Sequence, residues 1–192
     1  MALPKATDRQ PSHHRVIDYQ SFRRADGLWD IEATVQDTKA YDYYDLERGT
    51  LAPGDFVHDI SVRVTFKDDM TVVDVAASMD TVPFSYCLGG ADGLPALIGG
   101  NFGKGWRKRL EAALGRTLGC THLREILFGA ATVAFQTLSA ERERRVGTVD
   151  PDPGKISDKP FYLGGCHSLA EGSAVVLKFY PQFFEADSNQ EE

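Results

Sequence analysis

Alternation of apolar and polar positions with a period of two dominates the first third of the chain. Trp29, Ile31, Ala33 and Val35 share one parity and Asp30, Glu32, Thr34 and Gln36 the other, which predicts a strand with one buried face. The preceding Asp26-Gly27 supplies the positive φ angles of a tight turn, so Val16–Arg24 is expected to pair with Leu28–Asp37 as a hairpin. Asp37 and Lys39 keep the apolar parity and would carry an acid and a base off the end of the hydrophobic face. Tyr41 to Asp45 shows neither period and reads as a loop that a Pro53-Gly54-Asp55 turn closes. From Phe56 to Phe66 the alternation returns, with Phe56, His58, Ile60, Val62, Val64 and Phe66 on one face and Asp59, Ser61, Arg63 and Thr65 on the other. Thr71–Val75 is β-branched enough to be its partner strand, while Ala76–Asp80 could equally begin a short helix before Pro83.

The helical period takes over after a glycine-rich stretch, Gly89–Gly105, that reads mostly as loop. Trp106–Leu114 predicts a short helix ended by Gly115, and Thr121 is placed as the N-cap of a long helix from His122 to about Arg145. That helix has a core stripe of Leu123, Ile126, Leu127, Ala130, Ala134 and Leu138, and a second stripe of His122, Glu125, Gly129, Thr132 and Gln136. Asp150-Pro151-Asp152-Pro153-Gly154 predicts an exposed loop, and Phe161–Leu163 and Ala174–Tyr180 are the last strand candidates. The expected fold class is α+β: an antiparallel sheet packed against one long and one short helix, in a single domain over residues 15–184. Disordered tails are expected at 1–14 and 185–192.

Composition narrows the function classes. A chain of 192 residues with 42% hydrophobic content can bury a sizeable core in one domain. The formal charge of -7 and the scattering of the basic residues argue against nucleic acid as a partner. The polar start lacks the apolar core of a secretory signal and no stretch is long enough to cross a bilayer, so no membrane is expected and the cytoplasm is the default location. Three cysteines, an odd number, read as reduced thiols.

Two histidines stand out chemically. His122 and Glu125 lie one turn apart, where a carboxylate can orient an imidazole as a general base, and Gly129 would leave room for a ligand or for a neighbouring element. His58 sits on the apolar parity of its strand, either as a hydrogen-bonded core residue or as an inward-facing catalytic group, with Asp59 pointing the other way. Arg24, Glu32 and Arg63 read as a cross-strand ion-pair ladder or as carboxylate binders. Cys87, Cys120, His122, Cys166 and His167 are of zinc-ligand type but lack ligand spacing, so neither a metal nor any other cofactor is expected. The Gly99–Gly105 run lacks the Ser or Thr of a phosphate loop.

Several blocks in order, Arg23–Lys39, Pro53–Ile60, Met79–Pro83, Gly119–Glu125 and Ala134–Thr137, resemble a bacterial family known as domain of unknown function 2889, over roughly residues 15 to 184. The resemblance implies no established activity. It implies relatives in the neighbourhood of genes for aromatic or steroid catabolism, and hence a small-molecule substrate.

The functional expectation is a cofactor-independent acid-base lyase, of the retro-aldol kind, releasing formaldehyde from a phenolic aromatic compound. His58 or His122 would take the proton and Glu125 orient the latter. Lys39 and Arg24 would hold oxyanion charge, and Trp29 or Tyr43 stack on the substrate, with Glu32, Asp37 and Gln136 as further substrate-binding candidates. The alternative is a non-catalytic module that binds a small molecule or a protein. An exposed sheet edge leaves room for a homo-oligomer.

Overall fold

The computed structural model describes residues 3–146, 158–160 and 162–186, with side chains of the long helix described up to residue 141. Two compact units divide the chain, Met1–Thr137 and Leu138–Glu192.

The first unit is built on β1 (His13–Arg23), β2 (Trp29–Lys39), the short β3 (Tyr43–Asp45) and β4 (Gly49–Leu51), β5 (Phe56–Phe66) and β6 (Val72–Thr81). β1, β2, β5 and β6 form a four-stranded antiparallel sheet in the order β1-β2-β5-β6, and β3 pairs with β4 apart from it. The period-two reading holds in β2, where Trp29, Ile31, Ala33, Val35 and Asp37 are buried and every intervening position is partly exposed. Ile31, Val35 and Val64 are wholly buried, each contributing about 1.5–3 kcal/mol of hydrophobic stabilisation. The opposite face carries a polar ladder in which Gln36 donates to Asp59, Thr34 meets Ser61, and Arg63 pairs with Glu32 at 2.8 Å.

The first hairpin turns differently from expectation. Of the Asp-Gly pair only Gly27 takes a positive φ, 84°. Asp26 instead accepts from the Leu28 amide and from the Arg24 guanidinium, while Arg24 N donates to Leu28 O at 2.9 Å. The hairpin is longer than expected as well, with β1 starting at His13.

Two further segments depart from the sequence reading. Ala76–Asp80 continues β6 rather than starting a helix, because β5 offers its backbone a full ladder, Ile60 opposite Met79 and Val62 opposite Ala77. Tyr43–Leu51 is a small hairpin, not a loop, because the Asp45 carboxylate accepts from the Glu47 and Arg48 amides at 3.0 Å and from the Arg48 guanidinium at 2.9 Å.

Of two 3-10 turns, Ser85–Ala91 and Leu94–Leu97, only the second, within the glycine-rich stretch, contributes to the core, burying Leu94 and Leu97. Phe102 packs edge-on between Phe66, 5.3 Å away between centroids, and Trp106, 4.6 Å away. Trp106 opens α1 (Trp106–Leu114), and its indole donates to Leu127 O at 2.9 Å, tying α1 to the long helix α2 (Thr121–Val146). Helix α2 begins one residue before His122, with Arg124 N donating to Cys120 O. Its stripe Leu123, Ile126, Leu127, Ala130 and Ala134 is fully buried. The Tyr19 hydroxyl on β1 donates to Ile126 O at 3.1 Å, which seats the helix on the buried face of the sheet. Gly129 is required at that seat, since a Cβ there would come within 2.1 Å of the Tyr19 oxygen.

In the second unit Ala174–Phe179, expected as a strand, is a helix, α3. The Ser173 side chain accepts from Val176 N at 3.2 Å and caps it, which outweighs the β preference of Val175 and Val176. The expected loop at 150–154 and Phe161 of the expected Phe161–Leu163 strand lie outside the described residues; Tyr162 and Leu163 sit in a turn. No helix among the described residues is long and apolar enough to cross a membrane.

Candidate functional site

Asp37 is the last inward residue of β2 before a register irregularity between Asp37 and Thr38, and its side chain is 1% exposed. A carboxylate so placed must find partners, and the sheet supplies them by register: Arg15 of β1 lies opposite it on one side and His58 of β5 on the other. Arg15 donates Nε to Oδ1 and Nη2 to Oδ2, each at 2.8 Å. His13 Nε2 stands 2.9 Å from Oδ1, His58 Nδ1 3.0 Å from Oδ2, and His122 Nε2, from the first turn of α2, 3.6 Å from Oδ2. Three strands and one helix therefore converge on a single buried anion.

The imidazoles of His58 and His122 lie face to face at a tilt, with centroids 3.9 Å apart and 39° between planes. His58 Nδ1 is buried, and although it stands close to Asp37 it is not aligned to hydrogen-bond it. His122 turns its other nitrogen, Nδ1, to Cys120 Sγ at 3.9 Å, leaving Nε2 for Asp37. Burial, and next the neighbouring His122, lower the His58 pKa to about 4; burial and the Arg15 charge lower that of His122. Burial pushes the Asp37 carboxyl up, but the Arg15 hydrogen bonds and charge, helped by His58 and His13, bring it below its ordinary value. Arg15 is correspondingly raised, first by its hydrogen bonds to Asp37.

Among the residues singled out from sequence, the fold gathers Asp37, His58 and His122. Glu125 joins at the edge, bonding Arg15 Nη1 at 2.7 Å rather than bonding the His122 ring. Lys39 is at the same end of the sheet, but its ammonium lies over the Tyr43 ring, 5.6 Å from the centroid. The others lie elsewhere. Arg24 sits in the turn at the far end of the hairpin with Asp26 and Asp30. Trp29 is a core residue whose indole donates to Asp68. Glu32 belongs to the opposite face with Arg63. Gln136 is exposed on α2, about 21 Å along the axis from His122.

His13 and Arg15 were not singled out as site residues, and Cys120 stood out only as a residue of reactive or zinc-ligand type. The hairpin register carried the signal for the first two, since pairing Arg24 with Leu28 and counting outward puts Arg15 opposite Asp37 and His13 opposite Lys39. Beside the cluster, a recess of about 430 Å³ opens between α1 and the start of α2, with Arg107, Leu110, Glu111, Arg124, Glu125 and Phe128 in its wall.

An α+β domain with a buried Asp-His cluster at one end of an antiparallel sheet is thus the class that the fold and site define. The chain belongs to the family described as "Protein of unknown function (DUF2889)", whose model matches residues 13–136. That span starts at His13 and includes every residue of the cluster. No curated protein and no solved structure matches the chain.

Proposed function

We propose that the Asp37 cluster is the catalytic centre of an enzyme that acts on a small molecule by moving a proton from a substrate hydroxyl or a water molecule. The observation that carries this reading is the combination of a carboxylate that is 1% exposed with two imidazoles that are 17% and 20% exposed. A buried anion held by one guanidinium fixes charge and geometry in advance, which is how protein sites act on a developing charge.

Carbon-carbon lysis of the retro-aldol type is the reaction proposed for it. The hydroxyl of a hydroxymethyl group gives up its proton, its O–H electrons form the C=O bond of formaldehyde, and the broken C–C pair stays on the other carbon, which takes a proton. Of the cations expected to hold negative charge, Arg24 lies at the far end of the hairpin and Lys39 over Tyr43; in this reading the charge at the centre is that of Arg15, shared with Asp37 and Glu125. The test is a thermal-shift screen of phenolic and carboxylated compounds on the full chain, followed by product analysis with formaldehyde among the products sought. Turnover that disappears in folded His58→Gln and His122→Gln supports the reading, and unchanged turnover in both sinks it.

One observation favours a second reading, a binding module. None of Asp37, His58 and His122 lies in the wall of the 430 Å³ recess, so a ligand there need not touch the cluster. A compound that stabilises the protein, yields no product and binds His58→Gln as well as the unaltered chain would select this reading.

A further inference from the structure

We infer that Asp37, His58 and His122 together bind one divalent transition-metal ion of the zinc type, an inference that rests on the catalytic reading of this cluster and names the cofactor it would use. One carboxylate oxygen and one nitrogen of each ring lie within 4.8 Å of one another. Ligands about 2.0–2.1 Å from a tetrahedral ion stand roughly 3.3 Å apart, and the two measured separations, 3.0 Å and 3.6 Å, bracket that value.

Direction distinguishes a metal from a hydrogen bond. Two groups joined by a hydrogen bond aim at each other, whereas two ligands of one ion aim past each other at a common third point. His58 Nδ1 stands 3.0 Å from Asp37 Oδ2, is buried, and is not aligned with it. It is a buried polar atom with a neighbour and no aligned bond, and an ion answers that need.

The lone pairs of Asp37 leave a place for the ion. A carboxylate offers about four acceptor positions. Arg15 takes one on each oxygen, and His13 Nε2 lies 2.9 Å from Oδ1. Oδ2, which accepts one hydrogen bond from Arg15, keeps a second position on the side that faces His58 and His122. Arg15 then holds the carboxylate and Cys120 orients the His122 ring, the outer layer that metal sites ordinarily possess. Two carboxylates, Asp37 and Glu125, surround one guanidinium, which leaves an excess of negative charge for a cation. Two imidazoles and one carboxylate leave ion positions open, as catalytic centres do and structural ones do not. The ion would supply Lewis acidity beside Arg15, in place of the charge of Lys39 and Arg24, which lie away from the cluster.

The test uses the full chain, stripped with a chelator and titrated with Co²⁺ followed optically and with Zn²⁺ followed by calorimetry. The expected result is one ion per chain, visible Co²⁺ bands that Zn²⁺ abolishes, and affinity lowered at least about tenfold by His58→Gln and by His122→Gln. His14→Gln, one residue from His13 and exposed, should bind as the unaltered chain does. Because a variant can fail to fold, Zn²⁺-induced shifts of the imidazole nitrogens are also read by NMR in the unaltered protein. A folded chain that takes up no stoichiometric ion, or whose binding survives both substitutions, overturns the inference. Turnover by the stripped protein would overturn the metal and leave the enzyme standing. Stoichiometric binding at these ligands without any product from the compound screen would do the reverse.

Discussion

Arg15 holds both oxygens of Asp37 with two parallel hydrogen bonds of 2.8 Å, and the two partners differ in exposure, 33% against 1%. Removing either partner should therefore have unequal effects. Arg15→Met leaves a buried carboxylate with less compensation and should cost about 3 kcal/mol. Asp37→Asn leaves a guanidinium that can turn to water and should cost clearly less. Urea denaturation of the two variants at neutral pH checks the order, and equal losses would contradict it.

Tyr19 and Gly129 make a second unequal pair. Alanine ordinarily stabilises a helix interior relative to glycine by about 1 kcal/mol, yet Gly129→Ala should destabilise by about 1–3 kcal/mol because its methyl collides with the Tyr19 hydroxyl. In a Tyr19→Ala background the same substitution should become stabilising. A thermodynamic cycle over the four proteins measures the change of sign.

Asp45 predicts a pH dependence. Its side chain is 1% exposed, and the hydrogen bond from Arg48, aided by two backbone amides, holds its pKa below the ordinary value. The unfolded chain thus takes up this proton first as pH falls. The contribution of Asp45 is complete above the unfolded pKa near 3.9 and is lost as pH drops through the folded value. Asp45→Asn should cost about 1 kcal/mol at pH 7 and progressively less between roughly pH 5 and pH 2, read from urea midpoints across that range. A constant difference across the range would reject this account.

Phe102 joins a core phenylalanine of β5 to the first residue of α1. Phe102→Ala should cost about 3–4 kcal/mol and weaken the near-ultraviolet circular dichroism of Trp106, while leaving the far-ultraviolet spectrum native.

The long strands were legible because one face of each is mostly buried and the other polar. β2 keeps its alternation up to Asp37, whereas β5 departs from it at its start, where Phe56 is exposed and Val57 buried beside the register irregularity at Asp37 and Thr38, and at Thr65, which is buried on the otherwise polar face. Legibility failed where burial is slight or local bonds decide. Ala76-Ala77-Ser78 on the edge strand β6 is exposed and has no β-branched residue to declare a strand. Ala174–Phe179 is a short apolar run between Gly172-Ser173 and Pro181, which periodicity cannot assign; one serine hydroxyl tips it to helix.

The same division runs through the site. Parity placed Asp37 and His58 inward, and helix phase placed His122 and Glu125 on one stripe of α2. Arg24 and Glu32 were grouped with them by chemistry alone, and Gln136 by the stripe of α2; the far end of the hairpin, the opposite face of the sheet and the length of α2 separate them. His13 was missed because the polar start of the chain reads as a tail, and Arg15 because it lies just before the expected strand Val16–Arg24; a strand end that gains its partners from a helix far along the sequence has no local hydrophobic signature.

The bend between Arg24 and Leu28 lies nine rungs from the pairing of Arg15 with Asp37, yet it sets which β1 residue meets which β2 residue all the way along. Adding or deleting one amino acid there would offset β1 against β2, swing the guanidinium of Arg15 to the wet side of the sheet, and strand the carboxylate it now clasps. The spacing of that small corner is, in effect, the ruler by which the distant cluster is measured out.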